Sequence, residues 1–248
     1  MPSLENDFID KDFQKLLLPM QITQNVFFLS KFRITNNCIK PNGWIYAIIS
    51  FIGISMYAFF NTYTLTVEEN FSIFTLNRFI SFSIILNSIV YIAAFLLFYV
   101  LNIIHSKKHV QIILKMQSAF RIVNYKKYKN IIYANWIYVI RHSGVYCTFM
   151  VLRLDICVAI YFISLVYFDM NGSYGVCINK LLRGGLIAWI SELEYHTERC
   201  LERNEDAEYV WKELFEAYTD FLEVFEIFKE VFQAPVRSKL LLLPIVED

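Results

Sequence analysis

The chain reads as an all-α, polytopic helical membrane protein with about four transmembrane helices and an amphipathic cytoplasmic helix. Three observations predict this class. Residues 79–106, FISFSIILNSIVYIAAFLLFYVLNIIHS, contain no Asp, Glu, Lys or Arg, and the run exceeds the roughly 20 residues a helix needs to cross a hydrocarbon core. The next stretch, 107–129, carries Lys107, Lys108, Lys115, Arg121, Lys126, Lys127 and Lys129 with no acid, the composition of a short loop kept on the cytoplasmic side. Of 248 residues, 56% are hydrophobic and 19% charged, more apolar surface than a soluble domain readily hides.

Other whole-chain features narrow the function classes. The formal net charge is zero, which removes the general case for a nucleic-acid partner. No proline occurs between Pro41 and Pro235, so long uninterrupted helices are permitted. Cys38, Cys147, Cys157, Cys177 and Cys200 show no CxxC pair and no framework spacing, so no structural disulfide is expected.

Residues 1–42 form a cytoplasmic N-terminal segment. Lys11, Lys15, Lys31, Arg33 and Lys40 lie in it before the first charge-free apolar run, so a cleavable secretory signal is not expected. LLLPMQ is a candidate start for a short interfacial helix, and NNCIKPNG reads as a turn entering the membrane. The membrane domain is expected over 43–193, with spans at about 43–65, 79–104, 143–168 and 174–193. Trp44 opens the first span, where an indole suits the headgroup region. With the basic loop inside, two crossings back place the N-terminus inside.

The region after Lys129 admits two readings. It is apolar but carries Arg141, His142, Arg153 and Asp155. Either one span covers about 143–168, or a tight pair at 131–152 and 156–173 turns at Arg153-Leu154-Asp155. Two sequons, at Asn70 and Asn171, are possible glycosylation sites. Only the one-span reading puts both outside, and it is preferred for that reason. The fourth span, 174–193, contains Lys180 and Arg183, which should face protein or water, and Gly184-Gly185, which permits close helix approach.

The final third is acidic. From Glu192 to Glu230 there are thirteen acids against four Lys or Arg. Val210, Leu214, Ala217, Phe221, Phe228 and Val231 recur at three- and four-residue spacing, with Glu213, Glu216, Asp220, Glu223 and Glu226 mostly opposite. Residues 194–234 thus read as an acidic amphipathic cytoplasmic helical segment, packed on protein rather than on anionic lipid. Residues 235–248 form a short divergent tail, not a fifth span.

No catalytic constellation stands out, so no enzyme is expected, and no cofactor or metal. His105 and His109 have the i, i+4 spacing of a metal pair, but their flanking lysines favour solvated side chains. Arg153 and Asp155 are two apart and point in different directions on a helix, so each is expected to meet a neighbouring helix. Tyr161, Tyr167 and Tyr174, around the outer end of the last two spans, are the candidate ligand-binding residues; an interfacial aromatic belt explains them without any ligand and is the favoured reading.

Three stretches resemble the insect gustatory receptor family, in its moth and butterfly branch: KFRITNNCIKPNG at 31–43, INKLLRGGLIAWISELEYHTERCLE at 178–202 and ELFEAYTDFLEVFEIFKEVFQ at 213–233. The likeness spans most of residues 10–234 and rests on loose apolar and polar patterning. It implies a multi-pass plasma-membrane protein of sensory neurons with its N-terminus inside. It further implies a ligand-gated cation channel, assembled from several subunits, that responds to a small-molecule tastant. Seven spans are implied, the seventh lining the pore and bearing a Thr-Tyr…Gln-Phe signature. Spans five to seven have no counterpart here, so the chain resembles a receptor cut short before its pore.

Overall fold

The computed structural model describes residues 8–26, 29–69, 78–123, 132–137, 139–141, 156–203 and 208–242, with isolated positions at 144 and 148. Its described part is mostly helical, in the order α1 (Lys11–Val26), β1 (Phe32–Thr35), β2 (Cys38–Pro41), α2 (Trp44–Glu69), α3 (Arg78–Ile104), α4 (Ser106–Ile122), α5 (Ile156–Arg203) and α6 (Glu208–Leu242).

The stretch expected to be a turn entering the membrane is a β-hairpin. β1 and β2 are antiparallel, pairing Phe32 with Pro41, Arg33 with Lys40, Ile34 with Ile39 and Thr35 with Cys38. Asn36 and Asn37 join them with φ of 53° and 59°, the left-handed pair a two-residue hairpin turn demands and one that asparagine tolerates. Phe8 bridges to Cys38 on the far side of β2, and the Ile9 N–H donates to the Asn37 carbonyl at 2.7 Å. Among the described residues no strand pairs with the outer edge of β1.

α2 and α3 occupy the stretches expected as the first two spans. They pack on each other through the Tyr99 hydroxyl, which donates to the Ala47 carbonyl at 3.0 Å, and through a Phe51–Tyr99 ring contact at 5.8 Å. Judged on the described residues, no single helix is long and apolar enough to cross a membrane. The segments Ser88–Ile104 and Ser106–Ile122 meet that measure together, bent by 60°.

The bend falls at His105, and the basic stretch beyond it is helical as far as Ile122 rather than a loop; Lys126, Lys127 and Lys129 lie outside the described residues. α4 is a 17-residue helix whose apolar positions, Val110, Ile113, Met116 and Phe120, keep the three- and four-residue period of a buried face. Its basic residues hold the helix to its neighbours. Lys115 pairs with Asp220 at 3.2 Å and Glu223 at 2.6 Å, and Lys108 with Glu230. Arg121 grips Asp10 with two bonds of 2.8 and 2.9 Å. That grip holds the Asp10 carboxyl below its usual range. Lys115→Gln is expected to lower stability by roughly 0.5–1 kcal/mol, with salt shrinking the difference; denaturant titrations at low and high ionic strength check both.

α5 runs through the turn expected between the last two spans. It runs 48 residues without a break, roughly 72 Å, so the outside loop expected between 143–168 and 174–193 is helix. The expected start of the acidic segment at 194 also lies inside it. Residues 149–155, including Arg153 and Asp155, lie outside the described residues. The acidic segment proper is α6, which continues through Pro235 to Leu242, so the expected tail begins as helix.

The core joins α1, the hairpin, α4, α5 from Tyr174 onward and α6. Phe13, Leu16, Ile39, Ile112, Phe120, Ile178, Leu181 and Phe221 are all buried in it. α6 packs its Leu214, Ala217, Phe221 and Val224 stripe on protein, as the acidic face implied. Gly185 meets the α4 and α6 rings: a Cβ there would stand 2.6 Å from both Phe120 and Phe221. The close approach anticipated from the glycine pair is therefore present.

Candidate functional site

Polar groups collect where the hairpin, the α3–α4 bend and α5 meet. Lys31, immediately before β1, is only 4% exposed. Its Nζ donates to Asn102 Oδ1 on α3 and lies 5.3 Å from the centre of the Tyr174 ring. Burial pushes its pKa down to about 7, because a charged ammonium loses its hydration there. His109, on the first turn of α4, packs edge-on against Tyr174 at 5.3 Å and against Phe232 at 6.1 Å. Burial, then the Lys31 and His105 charges, hold it well below the ordinary histidine range. Its Nδ1 and the Tyr174 hydroxyl have no hydrogen-bond partner among the described residues.

Beside this cluster lies a cavity of about 320 Å³, whose lining includes Ser30, Asn42, Tyr46, Tyr99, Asn102 and Ser106. Its frame is tied internally. The Ser30 N–H donates to the Tyr46 hydroxyl at 2.9 Å and the Asn42 amide to the Ser30 carbonyl at 2.6 Å. Every lining residue is uncharged. An aromatic and amide wall of this kind suits a small uncharged molecule with an apolar body and one or two hydrogen-bonding groups, and the volume lies at the lower end of the small-molecule range.

The anticipated ligand residues are placed differently. Tyr174 is buried in the core, beside elements expected on the cytoplasmic side rather than at an outer pocket. With Gln24 it borders a void of only about 10 Å³, enough for about one water and not for a ligand. Tyr161 and Tyr167 lie on the first half of α5, and their side chains fall outside the described residues. Along the helix axis Tyr161 is roughly 20 Å from Tyr174. Asn171 stands within α5, not in a loop, and Asn70 lies outside the described residues.

The histidines differ as well. His109 is 1% exposed, not solvated as expected, because the helical period of α4 turns it inward. No group of three or more His, Cys, Asp or Glu side chains is close enough to hold a metal among the described residues. Sequence reasoning missed Lys31 and Asn102 altogether. A lysine is almost never buried, and only the three-dimensional join of hairpin to α3 reveals this one. Comparison with protein-family models, curated proteins and solved structures returns no match.

Proposed function

We propose that the chain is a membrane-embedded chemosensory receptor subunit of gustatory type, which responds to a small uncharged ligand. The observation that carries the membrane part is the outward surface of α2 and α3. Ile45, Ile52, Met56 and Phe59 on α2, and Phe82, Ile89, Val90 and Ile104 on α3, are each more than half exposed. Continuous apolar faces of this extent are costly in water and natural in lipid. Charges gather elsewhere, in the ion pairs of α4, α6 and α1.

On this reading α2 and α3 cross the bilayer. The core of α1, the hairpin, α4, later α5 and α6 lies on the cytoplasmic side. α5 is then the last crossing in its first half and a cytoplasmic helix in its second, which favours the tight pair at 131–152 and 156–173 over one span at 143–168. The uncharged cavity at the α2–α3 root is the candidate tastant site. The receptor class rests on the resemblance of residues 31–43, 178–202 and 213–233.

A second reading is a four-span scaffold that binds partners through α6. One observation favours it: Trp211, Phe215, Tyr218, Leu222 and Phe225 make an outer apolar stripe beside the buried one. The two readings part in a cell line expressing the tagged full chain, alone and with a pore-bearing receptor subunit. The receptor reading expects the chain to stay with membranes through alkaline extraction and to shift the tastant dose–response of the co-expressed channel. Membrane retention with an unaltered response across a tastant panel would discard it in favour of the scaffold.

A further inference from the structure

A second cleft opens next to the uncharged cavity, and its chemistry is different. It has a volume of about 660 Å³ and is walled by the end of α1, the outer edge of β1 and the first two turns of α2, with Gln21, Asn25, Arg33, Asn42, Trp44 and Ile49 among its residues. Four features give it a positive potential and an apolar exit. Arg33 stands directly across the ladder from Lys40. Both are exposed, and no ion pair reaches either among the described residues. Like charges in directly opposed cross-strand positions destabilise a hairpin unless an anion is shared between them.

The second feature is the N-terminus of α2. This 26-residue helix has no acid in its first turn, so the positive end of its dipole faces the cleft without compensation. The third is the outer edge of β1, with which no strand pairs among the described residues. In a two-residue hairpin the residues flanking the turn, here Thr35 and Cys38, exchange the main-chain bonds. Alternation then turns the Ile34 N–H outward, towards the cleft. The fourth is the outer face of α2, where Trp44, Ile45, Ile48, Ile49 and Ile52 are exposed and lead away from the cleft in helical steps.

We infer that this cleft binds the phosphate-bearing headgroup of an anionic membrane lipid, with an acyl chain lying along the isoleucine face of α2. The inference rests on the membrane reading above, which sets the root of α2 at the cytoplasmic headgroup level. Arg33 supplies the bidentate phosphate contact, and Lys40, opposite it on the ladder, supplies a second charge beside it. Gln21, Asn25 and Asn42 offer amides to the glycerol and headgroup oxygens. A free phosphate ester would satisfy the polar half of the site and leave the α2 face uncovered, so a lipid fits the whole of it.

The test is native mass spectrometry of the purified full chain in neutral detergent, with phosphatidylserine or phosphatidylcholine added, beside thermal unfolding of the same samples. One phosphatidylserine should be retained per chain, in preference to phosphatidylcholine by about tenfold or more. Arg33→Gln/Lys40→Gln should erase that preference, whereas Lys107→Gln, which removes an exposed charge outside the cleft, should keep it. The lipid-free double variant should unfold at or above the wild-type temperature, since a repulsion has gone, and should gain less from phosphatidylserine. Equal retention by wild type and double variant overturns the proposal. Displacement of the lipid by millimolar glycerol phosphate overturns it in favour of a soluble phosphate ester. Alkaline extraction of reconstituted protein separates the two levels: a chain stripped from vesicles removes the membrane reading and this proposal together. A retained chain without lipid preference removes the proposal alone.

Discussion

Replacing Gly185 with alanine should destabilise the helical core by about 1–3 kcal/mol, the usual cost of forcing a methyl group into a filled site. The added Cβ would come within 2.6 Å of Phe120 on α4 and of Phe221 on α6. Neither ring has room to withdraw. Each is 1% exposed, and they pack edge-to-face on each other at 5.8 Å. Alanine raises intrinsic helix propensity by up to about 1 kcal/mol relative to glycine, so a net loss means that packing outweighs the backbone. Denaturant unfolding of the full chain measures the difference. Combining Gly185→Ala with Phe221→Leu should cost less than the sum of the two single changes, because the smaller side chain vacates the disputed volume. A neutral Gly185→Ala would mean that α5 and α6 pack less closely than described.

The second large effect concerns Lys31 and pH. Its folded-state pKa is about 7 against about 10.4 in an unfolded chain. Between those values the unfolded chain binds a proton that the folded chain does not. Stability therefore rises with pH through this window, by up to about 1.4 kcal/mol for each unit. Below about pH 7 both states are protonated and the full cost of the buried cation is present. Lys31→Met should flatten the slope between pH 7 and 10 and match or exceed wild-type stability at neutral pH, since methionine fills a similar volume without a charge. His109 adds a separate decline on the acid side. Its folded pKa is depressed, so stability falls as pH drops below the ordinary histidine value. Lys31 and His105 bear on His109, and Asn102 and the Tyr174 ring lie against Lys31. Unfolding curves of wild type and Lys31→Met at several pH values decide the matter, and identical slopes would refute the assignment.

Parts of this architecture were legible in the sequence because single-helix patterns carry them. The charge-free runs at 43–65 and 79–104 mark α2 and α3, and the spacing from Val210 to Val231 marks α6. Gly184-Gly185 signalled a close approach, and Gly185 makes one. Where reading failed, composition outvoted period. The seven basic residues of 107–129 suggested a loop, yet Val110, Ile113, Met116 and Phe120 already had the period of a buried helix face. Asn171-Gly172-Ser173 resembles a turn in isolation. It stays helical in a segment whose next residues, Tyr174, Cys177 and Ile178, are buried against α4 and its neighbours, a tertiary override of local preference. The hairpin had a signal too, in two asparagines between short apolar-alternating runs. Lys31 had none, because its burial depends on elements some 70 residues away in sequence.

The length of α5 has a mechanical consequence. Gly185, held between two aromatic rings, is a fulcrum, and Ile156 lies 29 residues towards the other end of the rod. A tilt of about 5° about that point would carry Ile156 sideways by roughly 4 Å, while residues near Gly185 scarcely move. α5 is thus a lever with one clamped arm and one long arm. A modest push on the long arm becomes torque on the rings of α4 and α6.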